Sequence, residues 1–65
     1  MYTNKDIFFW ATSLSVEQDV DLDTAEKAVR EALKEHLEED GTVDDFEAFY
    51  QDASEIAAEL YSLKK

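Results

Sequence analysis

The sequence predicts an all-α protein, a compact three-helix bundle that forms one domain over residues 1–65. The chain contains no proline and one glycine, so few residues would interrupt a helix. Its apolar residues recur at helical rather than alternating spacing. Hydrophobic residues make up 45% of the chain and eight residues are aromatic. This is enough apolar material for a folded core in spite of the high charge.

The first predicted helix covers about residues 4–15. Its apolar face consists of Ile7, Trp10, Ala11 and Leu14. Thr3 or Asn4 can cap it by accepting a hydrogen bond from a free backbone N–H group of the first turn. We expect residues 15–23 to form an acidic loop whose apolar side chains point inward, either without helix or with one extra turn over 16–22.

The second predicted helix covers about residues 24–39. Asp23 is positioned to cap it, and Glu26 three residues later can reach back to complete a capping box. Gly41 lies where a left-handed residue is expected after a helix end. The apolar stripe of this helix consists of Ala25, Ala28, Val29, Ala32, Leu33, His36 and Leu37.

The third predicted helix covers about residues 43–63, unless it breaks near residue 54. Thr42 followed by Asp45 repeats the pattern of a cap and a first-turn acid. One continuous apolar face consists of Val43, Phe46, Phe49, Tyr50, Ala53, Ile56, Ala57, Leu60 and Tyr61. Three such helices with short connections indicate a bundle.

The charge of the chain is strongly unbalanced, with 17 acidic and 6 basic residues and a net charge of −11. Between residues 35 and 63 there are ten carboxylates and no Lys or Arg. A small domain loses stability through self-repulsion when its charge is this one-sided. The imbalance therefore suggests a basic protein partner that uses it.

We assign partner binding to these ten carboxylates. The third helix carries one group in a sector opposite its aromatic face: Asp44, Asp45, Asp52, Glu55 and Glu59, with Glu47 at the border. The preceding turn adds Glu35, Glu38, Glu39 and Asp40. An ordinary solvated helix face is the alternative, although such faces usually gain from interleaved cations, which are absent here.

A nucleic-acid mimic is the sharper interpretation of this charge. Duplex DNA carries one charge about every 3.4 Å along each strand, whereas carboxylates four residues apart on a helix lie ~6 Å apart. One helix face is therefore too sparse by itself. Matching a duplex would require the third helix together with the turn, and acids of the loop over residues 17–23 are an optional extension of that surface.

Nucleic acid itself is not the expected ligand, because the few cations of the second helix have acidic neighbours. Lys27, Arg30 and Lys34 lie three or four residues from Glu26, Glu31 and Glu38. No apolar run approaches 18 residues, so we expect no membrane association. The chain has no cysteine, which excludes a disulfide framework and favours a cytoplasmic location.

Neither a metal site nor an active site is predicted. Asp19, Asp21 and Asp23 have the spacing of the first ligands of a calcium-binding loop, but Thr24 and Arg30 stand where that loop needs glycine and glutamate. We interpret His36 as a packed side chain with one hydrogen bond, since there is no second histidine and no nucleophile motif. Ser54 lacks the context of a carrier-protein attachment site. No enzymatic activity and no cofactor are expected.

Phe9 and Val16 point away from the apolar face of the first helix. For Phe9 we favour packing in the core or at its rim, and an exposed position is the alternative. An exposed aromatic beside acidic residues would suit an interface anchor surrounded by steering charges. Tyr50 and Tyr61 are weaker candidates for the same role.

In size, charge and helical content the whole chain resembles small acidic proteins with which phages and mobile elements block host defence. Most closely it resembles DNA-mimicking anti-CRISPR proteins that act on type I effector complexes. These families share no motif that could be transferred residue by residue. The resemblance implies a non-enzymatic inhibitor, expected to be a monomer in the host cytoplasm, that blocks DNA binding by a basic subunit of a Cascade-type effector.

Two other functions are compatible with the same residues. An antitoxin or immunity-type protein that neutralises a basic toxin enzyme would use the same carboxylates and would have one cognate partner. A structural or regulatory protein would instead self-associate through Phe9, Tyr50 or Tyr61.

Overall fold

The computed structural model describes residues 2–64 and contains three helices, α1 (Asn4–Gln18), α2 (Leu22–His36) and α3 (Phe46–Lys64). The helices run up, down and up. Ile7 near the start of α1 shares a groove with Leu37 just after the end of α2, and His36 contacts Asp52 in the first half of α3. The prediction of an all-α three-helix bundle is confirmed.

Helix α1 begins where the sequence predicts and ends three residues later than expected. Thr3 caps it, and Asp6 completes a capping box with the backbone of Thr3. At the other end, the Ser15 hydroxyl donates to the Val20 carbonyl at 2.5 Å, and the Val20 N–H donates to the Ser15 carbonyl at 3.1 Å. Asp19 adopts the left-handed conformation, with φ of 54°. The loop predicted over residues 15–23 therefore shrinks to residues 19–21, because residues 16–18 form the helical turn that the alternative allowed, and Val20 points inward as expected.

Helix α2 begins two residues before the predicted position, and its cap is Asp21 rather than Asp23. The two oxygens of the Asp21 carboxylate accept from the Thr24 hydroxyl at 2.6 Å and from the Thr24 N–H at 3.2 Å. Thr24 is 1% exposed. Since a buried hydroxyl without a partner is costly, burial of Thr24 favours the cap that satisfies it.

The connection from α2 to α3 is longer than predicted. Helix α2 ends at His36, and Leu37 turns to extended backbone and forms an isolated antiparallel bridge with Val43. The Glu38 N–H donates to the Thr42 carbonyl at 2.8 Å. Gly41 has φ of 85°, so its left-handed conformation is confirmed, but it lies in this turn and not at the helix end.

Helix α3 begins at Phe46 and continues without a break at Ser54. Asp45 caps it by accepting from the Ala48 N–H at 3.2 Å. The predicted start at residue 43 and the predicted cap Thr42 are therefore wrong. Val43 is held by the bridge to Leu37, which keeps the chain extended where helix was expected.

The core combines a few large side chains with many alanines. Phe49, Leu14 and Val29 are essentially inaccessible to solvent. Six alanines have 0% exposure, and they come from all three helices: Ala11, Ala25, Ala28, Ala32, Ala53 and Ala57. Small side chains at helix contacts let the helix axes approach closely. Phe49 is the largest side chain that is fully buried in this core.

Around Phe49 the aromatic residues form a cluster at one end of the bundle. The ring of Trp10 lies 4.9 Å from that of Tyr2, 5.5 Å from Phe46 and 5.4 Å from Phe49, measured between centroids. The Tyr2 hydroxyl also accepts from the Val43 N–H at 3.2 Å. This cluster joins the N-terminal segment, α1, the 37–45 connection and α3.

The outer side of α1 exposes apolar residues. Phe9 is 71% exposed and Val16 79%, and Phe8 beside them is 54% exposed. The favoured prediction that Phe9 packs in the core or at its rim is wrong. Ile7, Ala11 and Leu14 fill the available contacts with α2 and α3, and Phe9 lies on the opposite side of the helix. Within residues 2–64, no helix is both long and apolar enough to span a membrane.

Candidate functional site

The ten carboxylates of residues 35–63 form the candidate site, which we call the acidic surface. Nine of them are exposed, and Asp52 is half-buried. Glu35 lies in the last turn of α2, and Glu47, Asp52, Glu55 and Glu59 lie on α3. The 37–45 connection contributes the rest: Glu38, Glu39, Asp40, Asp44 and Asp45.

Two of the carboxylates in the connection also hold its shape. Asp40 accepts from the Thr42 hydroxyl at 2.7 Å and from the Thr42 N–H at 3.1 Å. These hydrogen bonds, that of the hydroxyl first, lower the pKa of Asp40 below its ordinary value. Asp45 caps α3 through the Ala48 N–H. The turn therefore presents its charge on an ordered backbone.

On α3 the structure separates the predicted carboxylates into two groups. Glu47, Glu55 and Glu59 are exposed, as expected for a solvent-facing sector. Asp52, which was predicted to lie in the same sector, faces α2 instead and contacts His36. Its place three residues after Phe49 sets it at the edge of the buried stripe, so its side chain reaches the neighbouring helix.

His36 is the contact point between α2 and α3 on this surface. Its Nε2 atom is hydrogen-bonded to Oδ2 of Asp52, and its side chain is 24% exposed. The ring also meets that of Phe49 edge-on, with 6.3 Å between centroids. A packed histidine with one hydrogen bond was predicted, and the structure identifies its partner.

Glu35, His36 and Asp52 each place one ligand-type atom within 4.8 Å of the others. Carboxylates from α2 and α3 thus meet at His36. The sequence could not predict this convergence, because His36 and Asp52 are 16 positions apart and no short motif links them.

The cations of α2 occupy the part of that helix before the acidic surface. Arg30 pairs with Glu26 at 3.0 Å, one of the i,i+4 pairs that the sequence predicted. Lys27 and Lys34 are exposed. A groove between α2 and α3 is lined by Lys27 and Arg30 at one end and by Glu35 at the other. The same groove is lined by Ile56 and Leu60 of α3, the sequence neighbours of Glu55 and Glu59, so the cations of α2 border the α3 part of the acidic surface.

The three aspartates Asp19, Asp21 and Asp23, which we call the acidic triplet, have structural roles at the end of α1 and the start of α2. Asp21 is occupied by its two hydrogen bonds to Thr24, and Asp19 ends α1. Asp23 lies in the first turn of α2, where negative charge is favourable. These aspartates thus serve the helix ends, and Asp21 rather than the predicted Asp23 is the cap of α2.

The fold also brings together residues outside the acidic surface that are far apart in the sequence. The Tyr50 hydroxyl donates to Glu17 at 2.5 Å, which ties an exposed carboxylate of α1 to α3. Tyr50 and Tyr61, both proposed as interface anchors, are half-buried. Phe8 and Phe9 on α1 are the more exposed aromatics.

Comparison with known proteins adds no relative to this description. No protein-family model, curated protein or solved structure matches the chain significantly.

Proposed function

We propose that this protein is a non-enzymatic inhibitor that offers its acidic surface to a basic nucleic-acid-binding site of a host-defence protein and so blocks DNA binding there. The target class suggested first by the resemblance is a type I CRISPR–Cas effector, met in the host cytoplasm. The observation that carries the proposal is the exposure of nine of ten carboxylates in a stretch without Lys or Arg.

Electrostatics supports this use of the surface. Exposed helix faces usually alternate acids and bases, because i,i+4 pairs of opposite charge each contribute about 0.2–0.5 kcal/mol. The acidic surface lacks such pairs and adds self-repulsion to a net charge of −11. A basic groove would relieve that repulsion, and complementary charge would also accelerate the encounter of the two proteins.

Dimensions support a nucleic-acid mimic in particular. The longest dimension of the molecule is 37 Å, close to one turn of B-DNA at about 34–36 Å. The 37–45 connection extends the row of charges beyond the N-terminal end of α3. Carboxylates from α2 and α3 meet at His36, so the charge of the proposed mimic comes from more than one helix.

The first test neutralises charge without changing shape. A triple variant, Glu47→Gln, Glu55→Gln and Glu59→Gln, removes three exposed carboxylates of α3. Association with a purified type I effector should slow at least tenfold, and its dependence on salt should flatten. Surface plasmon resonance at several NaCl concentrations measures both, and circular dichroism checks the fold.

The matched control removes three exposed carboxylates elsewhere, by Asp19→Asn, Asp23→Asn and Glu31→Gln. It changes the net charge equally and should retain most of the inhibition. Equal inhibition by the parent and the α3 triple variant would overturn the proposal. Equal loss in both triple variants would show that total charge, and not the acidic surface, matters.

Identification of the partner tests the proposed target class. Tagged protein should capture a nucleic-acid-binding complex from host lysate, and excess short duplex DNA should displace that complex. Capture of a basic enzyme that DNA does not displace would contradict a nucleic-acid mimic and favour the antitoxin or immunity function instead.

A further inference from the structure

We propose that Glu35, His36 and Asp52 form a binding site for one divalent transition-metal ion such as Zn²⁺, which would join the last turn of α2 to α3. The chemistry is that of one imidazole nitrogen and two carboxylate oxygens contributed by two helices. This inference does not rest on the proposed inhibitory function, although Glu35 and Asp52 also belong to the acidic surface.

The distances suit a small ion. One ligand atom from each residue lies within 4.8 Å of the other two. With zinc–ligand bonds of ~2.1 Å, ligand atoms in a tetrahedral site are about 3.4 Å apart. His36 Nε2 and Asp52 already touch through their hydrogen bond. Glu35 is exposed, so its side chain can rotate inward without disturbing the core.

Contacts within the protein already fix the orientation of two of the three proposed ligands, His36 and Asp52. The ring of His36 is set against Phe49, a side chain with 0% exposure, and its nitrogen is directed at Asp52. Asp52 is the half-buried member of the acidic surface. An ion placed between them would replace their hydrogen bond, and the proton of that bond would be released to solvent.

The ligand types favour transition metals over the abundant hard cations. Imidazole suits Zn²⁺, Ni²⁺ and Cu²⁺, whereas Mg²⁺ and Ca²⁺ prefer oxygen ligands. Three protein ligands would leave a fourth tetrahedral position for water. Local charge helps as well, since Glu35 and Asp52 lie in a stretch that contains no Lys or Arg.

The acidic triplet Asp19, Asp21 and Asp23 does not offer the same possibility. It contains no nitrogen ligand, and both oxygens of Asp21 already accept from Thr24. His36 is the single histidine of the chain, so the cluster around it is distinct in chemistry from every other group of acids.

Titration calorimetry of the full chain with ZnCl₂ at pH 7 and 150 mM NaCl tests the proposal. We expect one Zn²⁺ per chain, a higher melting temperature with Zn²⁺ than without, and no competition from equimolar Mg²⁺. His36→Gln and Asp52→Asn should each weaken binding at least tenfold. Glu55→Gln, which removes an exposed carboxylate outside the cluster, is the matched control and should bind as the parent does.

An NMR titration keeps the test decisive if a variant fails to fold. The ring protons of His36 give the only histidine signals, and they should shift on addition of Zn²⁺ to the unaltered protein. Unshifted signals at saturation would overturn the proposal. So would zinc binding that persists unchanged in His36→Gln or falls as much in Glu55→Gln, since both results indicate nonspecific binding to carboxylates.

Discussion

The Tyr50 hydroxyl donates to Oε2 of Glu17 at 2.5 Å and so links α3 to the last turn of α1. The Ser13 hydroxyl, one turn earlier on α1, lies 3.2 Å from the same phenol oxygen. Burial raises the pKa of Tyr50 above its ordinary value of 10.0, and the bond to Glu17 raises it further while Ser13 opposes the shift. The hydrogen bonds of Tyr50 therefore connect α1 to α3. These two helices have the least extensive contact of the three helix pairs.

Tyr50→Phe removes this link and keeps the ring. We expect a loss of about 1 kcal/mol in the free energy of unfolding at pH 7, the usual net value of such a hydrogen bond. Because the pKa of Tyr50 is raised by folding, its contribution is complete below pH 10 and is lost as the pH rises through the folded value. Urea unfolding of both proteins at pH 7 and above pH 10 should show the difference shrinking. A constant difference would contradict this assignment.

Asp21→Ala should destabilise the protein more than Asp23→Ala, although the sequence favoured Asp23 as the cap. Asp21 satisfies the N–H and the buried hydroxyl of Thr24, and loss of an N-cap costs about 0.5–2 kcal/mol. Asp23 is the second residue of α2, and a negative charge in the first turn contributes about 0.3–1 kcal/mol through the helix dipole. Urea unfolding ranks the two variants, and the reverse order would mean that Asp23 caps the helix.

Gly41→Ala should destabilise the 37–45 connection. Gly41 has φ of 85°, and a left-handed conformation costs a residue with a Cβ atom about 1–2 kcal/mol. Gly41→Asn is the matched variant, since asparagine tolerates this region better, and it should recover part of the loss. If both variants unfold at the same urea concentration as the parent, the turn does not require a positive φ.

Leu14→Ala and Phe9→Ala compare a buried and an exposed position of α1. Leu14 is 0% exposed, and removal of a core leucine side chain costs about 2–5 kcal/mol. Phe9 is 71% exposed, so its removal should change the free energy of unfolding by less than about 0.5 kcal/mol. A large loss for Phe9→Ala in urea unfolding would show that this ring packs within the bundle.

Salt should stabilise the protein. Raising the ionic strength from 0.01 M to 1 M shortens the Debye length from about 30 Å to about 3 Å, which screens the repulsion among exposed carboxylates. Thermal unfolding monitored by circular dichroism should give a melting temperature that rises with NaCl. The triple variant Glu47→Gln, Glu55→Gln and Glu59→Gln should show a smaller rise, and an equal rise would mean that repulsion on α3 does not limit stability.

Local chemistry was sufficient for much of the fold. The apolar spacing predicted three helices, and the cap candidates Thr3 and Asn4 predicted the observed start of α1. The left-handed Gly41 followed from the freedom of glycine and from its place between two helical patterns. The stretch of ten carboxylates over residues 35–63 is evident in the sequence. Their exposure could also be predicted, because charged side chains are rarely buried.

Helix ends and side-chain partners depended on the packed structure. Asp21 and Asp23 have similar capping potential in the sequence, and burial of Thr24 decides between them. Phe9 is as apolar as a core residue, but Ile7, Ala11 and Leu14 already fill the buried face of α1. The hydrogen bond between His36 and Asp52 forms only when α2 and α3 pack with a particular shift along their axes. Periodicity reports which residues share a face of a helix, whereas the relative position of two helices is set by the volumes that fill the space between them.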